Sequence, residues 1–184
     1  MRKQTDLSTY IHSAPHRNYS ILRRTTWFYV NALVFKTGIF PSSRLKVSLL
    51  RLFGAEIGKK VVIRPGVNIK HPWLLRIGDH SWIGENVWID NLVKVSIGNH
   101  VCLSQGVTIL TGSHNYKDPA FGLLSGAVTL EDGVWIGAKA MLNHSVTAAS
   151  HAVLTSGSVA TKNLEAWFIY QGNPALKIRP RLIS

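Results

Sequence analysis

Three stretches of the chain can be laid one over another: Ile57-Gly58-Lys59-Lys60-Val61-Val62-Ile63, Ile77-Gly78-Asp79-His80-Ser81-Trp82-Ile83 and Ile97-Gly98-Asn99-His100-Val101-Cys102-Leu103. Each runs on to a further aliphatic residue six places later, at Ile69, Ile89 and Ile109. The copies are 20 residues apart, and inside each an aliphatic residue recurs every six positions. After a break the register resumes at Leu130, Ile136, Leu142, Ala148, Leu154 and Ala160. The fifth position of each hexad is also restricted to small or β-branched residues, from Val61 and Val67 through Ser81 and Val134 to Ala152 and Ser158.

A six-step rhythm is neither the period of about 2 of an amphipathic strand nor the period of about 3.6 of a helix. It suits a short flat strand followed by a tight corner. Three such hexads close a triangular coil of about 18 residues, with the large aliphatic inside and the small residue at the corner. A glycine or small polar residue after the aliphatic is expected to relieve the turn. Coils stacked about 4.8 Å apart through parallel strand hydrogen bonds give, for roughly five coils, a prism about 20–25 Å tall. The two extra residues before Ile77 and before Ile97 are expected to be small insertions at one and the same edge. The predicted fold class is mainly β: a parallel β-helix with an N-terminal helical segment and a short C-terminal tail. The expected divisions are a basic, partly helical segment 1–55, a β-helix 56–166 with a protruding loop 110–127, and a tail 167–184.

Composition sets the class. Apolar residues make up 46% of the chain and charged residues 16%, so a buried core is available and disorder is not the expected state. Cys102 is the one cysteine, which excludes an intrachain disulfide and suits a reducing compartment. No N-terminal stretch has the order of a signal peptide. The apolar run Trp27–Phe35 is far shorter than the roughly 20 residues of a membrane span, and is expected to be a helix packed on the main domain or lying at a membrane surface. The net charge of +12 is uneven: residues 1–64 hold 12 Lys/Arg against 2 Asp/Glu, and residues 65–184 hold 9 against 7. A basic leader beside an aromatic stretch suits anionic lipid headgroups or a phosphate-linked substrate, with a peripheral membrane contact through residues 20–53. No nucleic-acid motif occurs, and no nucleic-acid partner is expected.

The hexads stop between Ile109 and Leu130, where Gly, Pro, Ser and Asp mark a protruding loop. Long loops on rigid scaffolds tend to carry function. His114 lies in it and is the candidate general base, since an imidazole with an ordinary pKa of about 6.5 can take a proton from an attacking hydroxyl near neutral pH. No activated Ser or Cys is evident, which favours direct transfer over a covalent intermediate. His80 and His100 occupy one hexad position 20 residues apart and are expected to stack about 5 Å apart on consecutive coils.

The tandem [Leu/Ile/Val]-Gly-x-x-[small]-x pattern resembles the hexapeptide-repeat acyltransferases. That resemblance implies a left-handed coil, against the usual right-handed preference of parallel crossovers. Thr111-Gly112-Ser113-His114 resembles the entry to the catalytic loop of sugar acetyltransferases, with Ser113 as an inserted residue. Val134-Trp135-Ile136-Gly137-Ala138, Ser156-Gly157-Ser158-Val159-Ala160-Thr161-Lys162 and Gly172-Asn173-Pro174-Ala175 with Arg179 resemble the family's donor side. The resemblance implies acetyl-CoA as co-substrate, with Trp135, Ala138 and Ser156 at the pantetheine groove and Thr161, Lys162 and Arg179 facing the CoA phosphates. A homotrimer is expected because exposed prism faces and a shared donor groove need neighbours, and a cytoplasmic location is expected from the reducing compartment that the single cysteine suits.

From Tyr10 to Arg181 the chain looks most like acetyltransferases of exopolysaccharide assembly, the colanic-acid type, through Trp82-Ile83-Gly84-Glu85-Asn86-Val87-Trp88-Ile89. The expected acceptor is a sugar hydroxyl on a glycan precursor, with Glu85, Asn86, Trp88 and Asp90 as acceptor-binding residues. Trp82 and Trp88 point outward, as subunit contacts or sugar platforms. Glu85 or Asp90 could also orient the imidazole. Residues 142–151 lack the family's Pro-Gly and Ile-Gly signatures, and Gly84 stands where sugar acetyltransferases carry an Asn. Two other readings stay open: a β-helix zinc hydratase using His80 and His100, although no His-x-x-x-x-His pair is present, and a non-enzymatic membrane-surface scaffold. The resemblance to acetyltransferases implies no metal.

Overall fold

The computed structural model describes residues 4–11 and 19–183; parts of the predicted segment 1–55, and Ser184, lie outside the described residues. The hexads form three faces of stacked parallel strands. The first face holds Glu56–Ile57, Leu75–Ile77, Val95–Ile97, Val128–Leu130 and Thr147–Ala148. The second holds Val62–Ile63, Trp82–Ile83, Cys102–Leu103, Trp135–Ile136 and Val153–Leu154, and the third Asn68–Ile69, Trp88–Asp90, Thr108–Leu110, Met141–Leu142 and Val159–Ala160. The register is that of the sequence repeat: Ile57 pairs with Ile77, Ile77 with Ile97, Ile97 with Leu130 and Leu130 with Ala148. The column Ile63, Ile83, Leu103, Ile136, Leu154 and the column Ile69, Ile89, Ile109, Leu142, Ala160 pair likewise. This is a left-handed parallel β-helix, and the aliphatic columns from Ile63 to Ala160 form its dry core.

Corners explain the rest of the hexad. At two of the three edges the third residue after the inward aliphatic adopts the left-handed backbone conformation: Lys60, His80, His100, Gly133, His151 and Trp167 on the first-to-second edge, and Gly66, Asn86, Gly106, Lys139 and Gly157 on the second-to-third. The glycine directly after the aliphatic does not, which corrects the expectation that it relieves the turn. Its role is clearance. A Cβ at Gly78 would stand 2.6 Å from the carbonyl carbon of Gly98 and 2.7 Å from the amide of Asn99. Adjacent coils touch there through backbone and through the Asn99 side-chain oxygen, which would also stand 2.6 Å from that Cβ.

One polar column locks the first-to-second edge. The Lys59 amide donates to Asp79 Oδ1, the Asp79 amide to Asn99 Oδ1 and the Asn99 amide to Asp132 Oδ1. The Asn99 backbone bond, followed by its side-chain bond, holds the Asp132 carboxyl below its ordinary value. The two-residue insertions fall where expected, at the third-to-first edge, with Pro72–Leu74 as a 3-10 turn. The long loop leaves from the same edge.

The leader forms α1, Ile21–Val30, extended through a π turn at Asn31–Phe35, and α2, Ser43–Leu52. Ser20 and Ser42 cap them by accepting from the amides of Arg23 and Leu45. The first coil has no coil below it, so its backbone groups need other partners. The leader supplies them. Trp27 Nε1 donates to the Ile69 carbonyl at 2.8 Å, Asn31 Oδ1 accepts from the Ile69 amide, Ser43 Oγ accepts from the Ile63 amide, and Lys46 Nζ donates to the Arg64 carbonyl. Trp27, Phe35 and Leu50 are buried against that coil, as expected for the Trp27–Phe35 run, while Phe28, Tyr29 and Leu33 within it stay exposed.

At the other end the predicted tail is not a loose extension. Phe168–Gln171 adds a parallel strand beside Val153–Leu154, and Leu176–Pro180 folds back antiparallel on it. Among the described residues no helix is long and apolar enough to cross a membrane.

Candidate functional site

Thr111 fixes the root of the long loop. It is buried, its amide and hydroxyl both donate to the Asp90 carbonyl, and its Oγ1 accepts from the Leu92 amide at 2.8 Å. Beyond it the segment is a β-hairpin: Gly112–His114 pairs antiparallel with Leu123–Ser125, His114 opposite Leu123. The turn is tied by the Asn115 amide to the Gly122 carbonyl and by Asp118, which accepts from the Ala120 amide. The sequence marked this segment as a loop but not as a hairpin.

His114 sits where the hairpin meets the turn, half-buried. Its Nδ1 lies 2.8 Å from the Phe121 carbonyl oxygen. A carbonyl can only accept, so Nδ1 carries the proton and Nε2 presents its lone pair. The imidazole stacks on the Phe121 ring at 4.6 Å, 10° from parallel, and Tyr10 approaches with ring centroids 5.9 Å apart. The Asp6 amide also donates to the Pro119 carbonyl, so the start of the described chain lies against this loop. Sequence reasoning missed Tyr10, since nothing local ties residues so far apart.

Within the chain neither Glu85 nor Asp90 orients His114. Glu85 pairs with Arg64 at 3.2 Å, and Asp90 with Lys70 at 2.7 Å. Glu85 and Asn86 turn the second-to-third edge, whereas the His114 hairpin rises from the third-to-first edge. Trp88 and Asp90 lie on the third face between those edges, Asp90 opposite Leu110. Together with Arg24, Phe28, Tyr29 and Lys70 they wall a cleft of about 800 Å³ between α1 and the third face. The sequence could not show this cleft, because its second wall is a leader helix with no repeat to place it.

The residues assigned to the donor divide in two. Trp135 faces outward on the second face, its Nε1 donating to Ser104 Oγ at 3.0 Å. Ala138 and Ser156 follow Ile136 and Leu154 at the second-to-third edge, in the same row as Glu85 and Gln105. Backbones approach closely here: the Gly157 amide donates to the Ala138 carbonyl, and a Cβ on Gly137 would lie 2.5 Å from the Ser156 amide. Arg179 projects from the outer hairpin strand, opposite Ile169. Thr161 and Lys162 follow Ala160, past the third face, and are exposed.

Cys102 is half-buried between Trp82 and Trp135, and burial pushes its thiol above the ordinary value, which opposes a role as thiolate nucleophile. His80 and His100 do stack, 5.1 Å apart and within 2° of parallel. Among the described residues no group of three or more His, Cys, Asp or Glu side chains could hold a metal.

No family model matches the chain. It is 34% identical to the colanic acid biosynthesis acetyltransferase WcaF of Escherichia coli strain K12 over 177 residues, 96% of this chain and 97% of that one. Its fold superposes with a TM-score of 0.81 on a hexapeptide-repeat acetyltransferase of Vibrio cholerae solved with acetyl-CoA, covering 96% of both chains at 22% identity. A galactoside acetyltransferase solved with coenzyme A gives a TM-score of 0.74 and 25% identity over 86% of this chain and 79% of that one. A repeat read in the sequence, seen as coils, and shared nearly end to end with such a relative leads to one assignment: the chain belongs to the hexapeptide-repeat acetyltransferases, in the colanic acid biosynthesis group.

Proposed function

We propose that the chain transfers an acetyl group from acetyl-CoA to a sugar hydroxyl on a glycan precursor during polysaccharide assembly, as a homotrimer at the cytoplasmic face, with His114 as general base. The observation that carries this reading is the 2.8 Å contact of Nδ1 with the Phe121 carbonyl, which leaves Nε2 as a free acceptor on a hairpin rooted in the rigid prism. In the reaction the acceptor oxygen attacks the thioester carbonyl carbon while Nε2 removes its proton. The C–S bond then breaks, and the leaving thiolate takes that proton from the imidazolium. The backbone carbonyl does for His114 what a carboxylate often does elsewhere: it fixes tautomer and ring orientation.

The names of the relatives support both substrates: one structure was solved with acetyl-CoA, another is a galactoside acetyltransferase bound to coenzyme A, and the Escherichia coli relative is named for colanic acid. Trp88 offers a flat apolar surface for a sugar ring, and Asp90 can accept from its hydroxyls. Glu85 and Asn86, in the row of Ala138 and Ser156, would meet the acceptor only beside the donor groove. Thr161, Lys162 and Arg179 are the cations and hydroxyl assigned to the CoA phosphates. The test is release of CoA thiol in the presence of nucleotide-linked and lipid-linked sugars, with acceptor acetylation read by mass. His114→Ala is expected to lower turnover about 10²–10⁴-fold. Unchanged turnover would remove the base from the mechanism.

A further inference from the structure

We infer that the leader end of the prism is a docking surface for an anionic lipid bilayer. From Leu7 to Ala55 the chain contains seven Lys/Arg and no Asp or Glu. The two helices use one side to close the first coil, as described above. Among the described residues their other side packs on no further element, although the Arg51 guanidinium donates to the Ile57 and Gly58 carbonyls. In α2 the inward residues are Lys46 and Leu50, and the outward ones are Arg44, Leu45, Ser48, Arg51 and Leu52, spaced as one helical face. Leu45 and Leu52 make an apolar stripe two turns long, with Leu52 78% exposed. Arg44 stands beside it as an exposed cation, and Arg51 adds positive charge from its place on the Ile57 and Gly58 carbonyls. The connection between the helices adds Ile39, 74% exposed, and Phe40, with Lys36 at its start, and α1 contributes Leu22 and Leu33.

A helix face that meets only water would carry mixed charge; this one carries leucines and cations. Leucines can enter the acyl boundary while guanidinium groups take headgroup phosphates, the division of labour of an interfacial helix. Charge decides between occupants. A second copy set end to end would bring cations against cations with no acid between Leu7 and Ala55 of either copy to relieve them. A polyanion such as nucleic acid would satisfy the cations but leave the leucine stripe in water. An anionic bilayer satisfies both. The surface lies at one end of the prism, so copies related by an axis along the coils would present their leader ends in one plane. None of this rests on the assignment of His114 or of the acceptor.

The experiment is flotation of the full-length protein with phosphatidylcholine vesicles carrying about a third phosphatidylglycerol, and with phosphatidylcholine alone. Binding is expected to the anionic vesicles only, and to weaken with salt. Leu45→Gln and Leu52→Gln should each weaken it roughly tenfold, with unchanged thermal unfolding because both side chains face outward. Arg44→Glu gives an independent arm: it places an acid in the first turn of α2, which favours the helix, yet reverses the charge offered to lipid. Its binding should also fall. Absence of flotation with anionic vesicles, or flotation indifferent to all three substitutions, would overturn the proposal. So would a lipid-free assembly that shrinks in Leu45→Gln/Leu52→Gln protein, since that would assign the stripe to a second copy.

Discussion

A methyl group at Gly78 would meet both the Asn99 side-chain oxygen and the Gly98 carbonyl carbon of the next coil at 2.6 Å, and of these only the side chain could yield. A methyl group at Gly157 would meet nothing within 4 Å, but its φ of +69° is one that alanine adopts at a cost. The two glycines therefore fail differently when replaced. Gly157→Ala should destabilise by about 1 kcal/mol, the backbone cost alone. Gly78→Ala must separate two coils, and should cost about 3 kcal/mol or more, on the scale of overpacking a tight core. Chemical denaturation of both variants checks the order, and equal losses would show that the coils yield more easily than their contact distance implies. His114 is the other residue whose neighbours set its behaviour, because one carbonyl fixes its tautomer. Replacing Phe121 with Ala keeps that carbonyl and removes the stacked ring. Turnover should fall modestly, about threefold to tenfold, whereas loss of the imidazole should remove the proposed general base outright. Steady-state kinetics at fixed pH would separate the two.

The leader is an element that solves an end problem, and Lys46 shows how. Its side chain is fully covered, its Nζ donates to the Arg64 carbonyl at 3.2 Å, and no acid is near in sequence. Burial, and secondarily the Arg64 charge, hold its ammonium below the lysine value of 10.5. The unfolded chain then binds the proton more tightly than the folded one. Stability should rise with pH as it approaches 10.5 from the folded-state value, and fall again as pH is lowered through that value. In Lys46→Met protein this part of the alkaline slope should vanish; thermal unfolding from pH 8 upward reads it, and an unaltered slope would place the titrating group elsewhere. Lys46 also marks what the sequence could and could not disclose. The prism was legible, down to the residues that pair after the break, because each coil repeats one physical problem: an aliphatic inside, a small residue at the corner, a neighbour one step up. The place of His114 in a segment that leaves the prism was legible because the repeat stops around it. The capping contacts were not, since Trp27 with Ile69 and Lys46 with Arg64 each occur once. The corner glycine was legible as a pattern but misread in cause, because a period shows which residue type recurs and not whether it serves φ or clearance. The hairpin after Thr111 was hidden for a simpler reason: its strands are three residues long, too short for alternation to register.

At the scale of the molecule, one protomer keeps its proposed catalytic parts on different edges. The His114 hairpin rises from the third-to-first edge, and Ala138 and Ser156 stand on the second-to-third, with the width of the third face between them. A second copy can bring the two kinds of edge together, and a closed ring of three would form three equivalent clefts, each with an imidazole from one protomer and a groove from the next. The exposed indoles of Trp82, Trp88 and Trp135, on the second and third faces, are apolar area that such packing would cover. Light scattering should give the mass of a trimer. The sharper measurement is complementation. His114→Ala protein lacks the base, and Ala138→Trp protein has its groove filled; each alone should be inactive. In subunits mixed after reversible dissociation in equal amounts, about one cleft in four pairs an intact imidazole edge with an intact groove edge. Acetyl transfer should therefore return to about a quarter of the unmodified rate. If the cleft belonged to a single chain, no mixture could contain a complete one, and activity would stay at the level of the separate variants.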